Sequence, residues 1–169
     1  MKGIAEGERM ERKAPGSAFR GHIRVHETSA MDREGLASRF PDGERRRWVE
    51  GALASRQSTV LDMEIFEERA WVLLGQAIAD AGGEMAVLLL PRFRGLGFCC
   101  AAIRAAVQAL RDHPLMVLTA RVDEMDRAAA GAFQRAGFTL SGRDAPGEGA
   151  RVVYTLALRG ECTPFNVWI

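Results

Sequence analysis

Cysteine is scarce in this sequence, and its few copies lack the spacing of a structural or metal-binding site. Only three occur among 169 residues: Cys99 and Cys100 are adjacent, and Cys162 stands alone. They form no CxxC pair, no metal-ligand spacing and no disulfide framework. We therefore predict that the chain binds no metal and occupies a reducing compartment, the cytoplasm.

Long hydrophobic runs and an excess of charge of one sign are also missing. The longest apolar run, Met85–Leu90, is far shorter than the about 20 residues that a membrane-spanning helix requires. Residues 1–20 are polar and charged where a secretory signal would be apolar, and we predict that they form a mobile tail before a domain at 21–169. The net charge of +1 provides no overall basic field, so we expect neither nucleic acid nor a membrane as a partner.

The composition and the periodicity of the chain are those of one globular domain built on a sheet. Hydrophobic residues make up 47% and charged residues 27%, and the length suits a single core. The helices predicted between strands in the second half favour an α/β or α+β fold. The first two predicted helices are highly charged, so we expect them to cover the sheet without being buried. Periodicity predicts strands at 22–27, 58–66, 70–80, 84–90, 116–122, 138–144 and 151–158, and helices at 31–40, 44–55, 98–113 and 127–136.

A glycine turn follows the most apolar of these strands. Pro91 ends the strand, Arg94-Gly95-Leu96-Gly97 makes a tight turn, and a helix begins at once. The first turn of a helix carries free N–H groups and about half a positive charge, and glycines let an anion approach that backbone. The pattern therefore fits a phosphate cradle, or else a plain turn whose glycines serve only positive φ. It has neither the third glycine of a dinucleotide site nor the GxxxxGK[ST] of a P-loop.

Two segments of the chain resemble the motifs of the GNAT acetyltransferase superfamily. The stretch 88–103 is similar to its coenzyme A-binding motif, whose core is Q/R-x-x-G-x-G/A. The stretch 122–138 is similar to its second motif, N-x-x-A-x-x-x-Y-x-x-x-G-F, with Asp126 at the Asn position, Ala129 at the Ala and Phe133 at the Tyr. The two motifs occur in the family's order, separated by one predicted helix and one predicted strand.

The resemblance implies a fold and a ligand. The fold is a mixed central sheet of about seven strands, flanked by about four helices, in which two splayed strands bind acetyl-coenzyme A as the co-substrate. The backbone around Val87, Leu88 and Leu89 would pair with the pantetheine arm and polarise the thioester carbonyl. The pyrophosphate would lie on the turn and on the first amides of the helix, and the second motif would complete the site. The residues so implied are Val87, Leu88, Leu89, Arg94, Gly95, Leu96, Gly97, Phe98, Cys99, Asp126, Ala129 and Phe133.

Three of these residues depart from the family pattern. Cys99 replaces a Gly or Ala, and is either a thiol acidified by the helix N-terminus or a buried structural cysteine. Asp126 replaces Asn, and either accepts a hydrogen bond from the pantetheine arm or caps the last helix. Phe133 replaces the Tyr that often protonates the departing thiolate, so we expect the acid to be absent.

Acyl transfer to an amine also needs a group that takes the amine's proton. Glu84, at the start of the strand before the turn, is our first candidate base, with Glu64 and Asp62 as second choices; each also fits a carboxylate that has only a surface role. Trp48 and Trp71 are interpreted as core or lid residues.

The function that follows is transfer of an acetyl group to a primary amine of a small molecule or a protein. Direct attack is favoured, because no nucleophile with a His partner is visible. The alternative from another class is a non-catalytic sensor of acyl-coenzyme A with the same cradle. The apolar segment 163–169 is expected to bind the sheet or a second subunit, which would make a homodimer.

Overall fold

Seven strands and three α-helices form in the part of the chain that the computed structural model describes, residues 22–28, 36–39, 44–144 and 150–158. The predicted tail at 1–20 and the apolar segment 163–169 lie outside these residues. The strands are β1 (Ile23–Glu27), β2 (Thr59–Glu67), β3 (Ala70–Ala79), β4 (Met85–Leu89), β5 (Val117–Asp123), β6 (Thr139–Arg143) and β7 (Arg151–Ala157). The helices are α1 (Glu44–Ala54), α2 (Phe98–Leu110) and α3 (Arg127–Arg135), with short 3-10 helices at Ala37–Arg39 and Pro91–Phe93.

The strands form two antiparallel sheets, ordered β1-β2-β3-β4 and β5-β7-β6. One parallel bridge between Glu84 and Thr119 joins them, where the amide of Thr119 donates to the carbonyl of Gly83 at 2.8 Å. No other backbone pairing links β4 to β5 within the described ranges. The sheet thus has the expected strand number and the expected splayed pair, but its mixed character comes from this bridge alone.

The helices differ from expectation at the start of the domain. Of the predicted helix at 31–40, only residues 36–39 are described, and they form a bend and a 3-10 turn. Nor does this region merely cover the sheet, since Leu36 and Val49 are fully buried. They form a second core with Ala52, Val60, Ile78 and Ala86.

The main core lies on the other face of the first sheet. Its centre is α2, whose apolar side chains recur every three or four residues and so fall on one face. That face packs against the first sheet and α3, and it shares one core with Met85, Leu89, Leu118 and Phe133. Alternate residues of β4 therefore contact different cores: Ala86 belongs to the α1 side, and Met85 and Leu89 to the α2 side.

We expect the substitution Gly83→Ala to lower the free energy of unfolding by about 1–3 kcal/mol. Gly83 has φ +85°, and a Cβ added there would lie 2.2 Å from the carbonyl oxygen of Val117, at the junction of the two sheets. Gly142→Ala is the matched control, because a Cβ at Gly142 meets nothing within 4 Å. Urea denaturation of both variants measures the difference, and equal stabilities would contradict the assigned strain.

Candidate functional site

The edge of β4 that faces β5 has backbone groups directed into the gap between the sheets. The amide of Asp80 donates to the carbonyl of Glu84 at 2.9 Å, and the amide of Leu90 donates to the carbonyl of Leu74 at 3.0 Å. In an antiparallel ladder every second residue bonds to the partner strand. The backbone groups of the β4 residues between the bonded ones therefore point away from β3. The amide and the carbonyl of Val87 accordingly point toward β5.

The two other residues of this stretch are placed differently. Leu88 is the register partner of Gln76 in β3, so its backbone groups are turned away from the gap. The carbonyl of Leu89 faces the gap but accepts a hydrogen bond from Nε of Arg94 at 2.9 Å. Arg94 thereby ties the glycine turn to the end of β4.

The glycine turn leaves the first turn of α2 without a side-chain cap. Gly97 is the N-cap residue, with φ +83°, and as a glycine it has no side chain to cap the amides that follow it. Gly95 has φ +72°, and a Cβ added there would meet nothing within 4 Å. The turn is exposed and leads directly into the 13-residue helix, whose first amides have no carbonyl partner within the helix. This geometry fits an anionic group, since the backbone is open to approach and carries the positive end of the helix dipole.

The side chains at the start of α2 serve the fold. Phe98 is buried and packs edge-to-face on Phe93, with ring centroids 5.6 Å apart. Burial raises the pKa of the Cys99 thiol above its ordinary value, and electrostatic interactions with Cys100 and Asp126 add to this effect against the smaller opposing effect of Arg135. The direction of this shift argues against an acidified thiol, and the side chain is half-buried. Leu96 is the exception, with its side chain about half exposed.

The second motif begins with a capped helix. Oδ1 of Asp126 accepts a hydrogen bond from the amide of Ala129 at 2.9 Å, so Asp126 is the N-cap of α3, one of its two predicted roles. Phe133 is buried in the main core and meets Phe138 edge-to-face at 5.1 Å. The only tyrosine of the chain, Tyr154, lies on β7 and is buried as well.

Glu84 lies at the bridge, beside a small cavity at the start of β4. The cavity is lined by Trp48, Glu84, Met85, Ala86 and Arg151. The carboxylate of Glu84 accepts a hydrogen bond from the guanidinium of Arg121, whose Nε also lies 3.5 Å from Oδ2 of Asp144.

The charges around Arg121 act in opposite directions. Burial would lower the pKa of its guanidinium, but the hydrogen bonds and negative charges of Glu84 and Asp144 together raise it above its ordinary value. Arg121 therefore stays charged and holds the carboxylate of Glu84 in one position beside the cavity. Sequence reasoning missed this residue; its signal was a polar side chain in the alternating pattern of the strand at 116–122.

The second-choice carboxylates lie elsewhere on the first sheet. Asp62 is buried, and its Oδ1 accepts from Nε2 of Gln76 at 2.7 Å. Glu64 binds Arg24, with Nε 2.8 Å from Oε2, and lies 3.3 Å from Nε2 of His26. Neither lines the cavity beside Glu84.

The described part of the chain contains neither a cluster of metal ligands nor a membrane-spanning helix. No three His, Cys, Asp or Glu side chains there are grouped so that they could hold a metal ion. No helix there is long and apolar enough to cross a membrane.

Comparison with known proteins finds similarity at the level of structure. No protein-family model matches the sequence, and no curated protein matches it significantly. Mutant forms of the spermidine/spermine N-acetyltransferase SpeG from Vibrio cholerae are 12% identical with a TM-score of 0.61, covering 81% of this chain and 95% of theirs. The aminoglycoside acetyltransferase AAC(6')-Ib, solved with coenzyme A, is 15% identical with a TM-score of 0.59, covering 80% of this chain and 95% of its own.

A domain from Methanocaldococcus jannaschii is 12% identical with a TM-score of 0.63, covering 81% of this chain and 99% of that domain. At such identities the likeness concerns the fold alone. The chain has the fold of the GNAT acetyltransferases, as the two motifs predicted.

We expect Asp126→Ala to lower the free energy of unfolding by about 1 kcal/mol, because the amide of Ala129 loses its capping partner. Asp126→Asn is the matched control, since an asparagine caps as well as an aspartate and should change stability by only a few tenths of a kcal/mol. Chemical denaturation compares the two. Equal losses in both variants would show that the charge of Asp126, and not its cap, stabilises α3.

Proposed function

We propose that this protein transfers an acetyl group from acetyl-coenzyme A to a primary amine. The observation that carries the proposal is the open backbone edge of β4 at Val87, which leads to the uncapped first turn of α2 behind two left-handed glycines. The likeness in fold to N-acetyltransferases of spermidine and of aminoglycosides supports it. A spermidine N-acetyltransferase from Vibrio cholerae was solved in complex with coenzyme A and spermine.

The chain's own groups suit the parts of the donor. The amides from Gly95 to Cys99 would hold the pyrophosphate, because the N-cap glycine leaves the helix start without a side-chain cap and they lie at the positive end of α2. The pantetheine arm would run along the gap and pair with the amide and carbonyl of Val87. This direction brings the thioester toward the start of β4, where Glu84 and the small cavity lie.

The reaction is a direct displacement. The amine nitrogen forms a bond to the thioester carbonyl carbon, the carbon–sulfur bond breaks, and the sulfur departs as a thiolate. The amine must be neutral to attack, and its proton goes to Glu84, either directly or through a water. Arg121 holds that carboxylate toward the cavity.

No acid on α3 assists the thiolate, since Phe133 occupies that position and packs against Phe138. A thiol has a pKa near about 8.5, so its anion is a tolerable leaving group at neutral pH. A general acid typically raises the reaction rate by about 10²–10⁴-fold, so the absence of one would lower the rate by a factor of that order.

A non-catalytic sensor of acyl-coenzyme A is the second candidate. Two observations favour it: Phe133 supplies no proton, and the carboxylate of Glu84 is already bound by Arg121. Incubation with acetyl-coenzyme A and a panel of polyamines and proteins separates the two functions. Release of free thiol supports the enzyme, whereas tight binding without release supports the sensor.

The assembly of the protein stays a prediction. A spermidine N-acetyltransferase from Vibrio cholerae was solved as a dodecamer. For this chain, a homodimer through segment 163–169 is tested by sedimentation of the full chain and of a chain that ends at residue 158.

We expect Gly97→Glu to weaken coenzyme A binding by about tenfold or more, because a carboxylate would meet the pyrophosphate at close range. Gly97→Ala is the matched control, since it introduces the same strain at φ +83° without the charge. Titration calorimetry with acetyl-coenzyme A measures both. Equal affinities of the two variants for acetyl-coenzyme A would show that the pyrophosphate does not bind at this turn.

We expect Glu84→Gln to lower kcat at pH 7 by about 10²–10⁴-fold, as the loss of a general base predicts. The remaining activity should rise about tenfold per pH unit toward the amine pKa near 10, because the neutral amine then forms unaided. Glu64→Gln is the control and should leave kcat unchanged, since Glu64 binds Arg24 away from the cavity. A kcat equal to that of the unaltered protein would exclude Glu84 as the base.

A further inference from the structure

A second, larger cavity lies next to the one beside Glu84. Its volume is about 370 Å³, and its walls are the last turns of α1, the residue before β2, and the β3–β4 turn. Trp48 lines both cavities, so the two are neighbours that share this side chain. The lining residues are Trp48, Gly51, Ala52, Ser55, Ser58, Asp80, Ala81 and Gly82.

One polar group of this cavity has no partner. Ser58 is only 5% exposed, and its hydroxyl oxygen has no hydrogen bond within the described part of the chain. A buried hydroxyl without a partner costs about 1–3 kcal/mol, so such groups are rare in folded proteins. A molecule in the cavity would supply the partner after rotation of the serine about its Cα–Cβ bond.

The charge on the walls is negative. Asp80 accepts hydrogen bonds from the amides of Gly82 and Glu84 at 2.9 Å and from Nε1 of Trp48 at 3.2 Å. No cationic side chain of the described residues lies within ion-pair distance of it. The carboxylate is thus fixed in direction by three N–H groups and has no counter-ion beside it.

Two further features favour a cation in the same place. Gly51 and Ala52 belong to the last turn of α1 and Ser55 follows it directly, so the cavity lies at the helix C-terminus, which carries about half a negative charge. The ring of Trp48 offers an aromatic surface of the kind that binds organic cations. Negative charge, an aromatic ring and an unpartnered hydroxyl are together the recognition chemistry of an ammonium group.

We propose that this cavity binds the second ammonium group of a diamine acceptor. The proposal rests on the function above: the reacting amine lies beside Glu84, and the distal ammonium lies across Trp48, against Asp80 and Ser58. The amide of Glu84 donates to Asp80, so the two carboxylates are fixed relative to each other. The site thereby selects diamines over amines with a single charge.

The test compares 1,4-diaminobutane with n-butylamine, both fully charged at pH 7. Calorimetry on the coenzyme A-saturated protein should give the diamine an affinity at least about tenfold higher, as expected for a hydrogen bond to a charged group. Ser58→Ala should remove about tenfold of the diamine affinity and leave butylamine unchanged. The variant should unfold at no lower temperature than the unaltered protein, because it loses an unpartnered buried group.

A second variant places a competing charge at the cavity. Gly51 lies in α1 with nothing within 4 Å of its added Cβ, so Gly51→Lys fits and puts an ammonium at the wall. It should abolish the preference for the diamine, whereas the control Gly51→Ala should keep it.

The outcomes separate the two proposals. Equal affinities of the two amines for the unaltered protein, or a diamine preference that survives both Ser58→Ala and Gly51→Lys, would overturn the site. Failure of the proposed function looks different: acetyl-coenzyme A gives no heat, or neither amine releases thiol. In that case, the same amine titrations on the protein without coenzyme A still measure whether the cavity prefers the diamine.

Discussion

The single bridge between Gly83-Glu84 and Thr119 is the contact on which the site depends. β4 continues along β3 and β5 continues along β7, so the two parallel strands pair only at this bridge and then diverge. The bridge exists because Gly83 adopts φ +85° and has no Cβ against Val117. A gap lined by backbone groups is the direct consequence, and an extended ligand can pair with the edge of β4 there.

β4 also separates two environments. Gly75 allows β3 to approach it closely, since an added Cβ there would lie 2.2 Å from the carbonyl oxygen of Leu88. On the α2 side are the glycine turn and the main core; on the α1 side are Ala86, Trp48 and both cavities. A donor bound from the helix α2 side and an acceptor from the α1 side would therefore meet at the start of β4, which would bring the amine close to the thioester carbonyl carbon, as direct attack requires.

Local patterns predicted the fold and the backbone elements of the candidate site. The apolar strand, the glycine turn and the amphipathic α2 are encoded within some 25 consecutive residues, and each lies within a few positions of its prediction. The partners of the charged groups could not be found in this way. Arg121 reaches Glu84 across 37 positions and Trp48 reaches Asp80 across 32, and only tertiary packing brings such pairs together. The burial of Leu36 and Val49 escaped prediction for a related reason, because a few apolar residues among many charges suffice when the facing strands offer Val60 and Ile78.

The packing of Phe133 bears on which step of the proposed acyl transfer the protein would assist. Its ring meets Phe138 edge-to-face in the core, a contact of roughly 0.5–1.5 kcal/mol beyond the area buried. A hydroxyl at the ring tip would have to find a partner among apolar neighbours or reach the gap, so the position serves stability rather than proton transfer. The thiolate would then leave without a general acid. Catalysis would depend more on stabilising the negative charge that develops on the carbonyl oxygen. The amide of Val87, directed into the gap by the ladder with β3, is fixed before the substrate arrives, and a fixed donor at a developing oxyanion is usually the largest single contribution to acyl transfer.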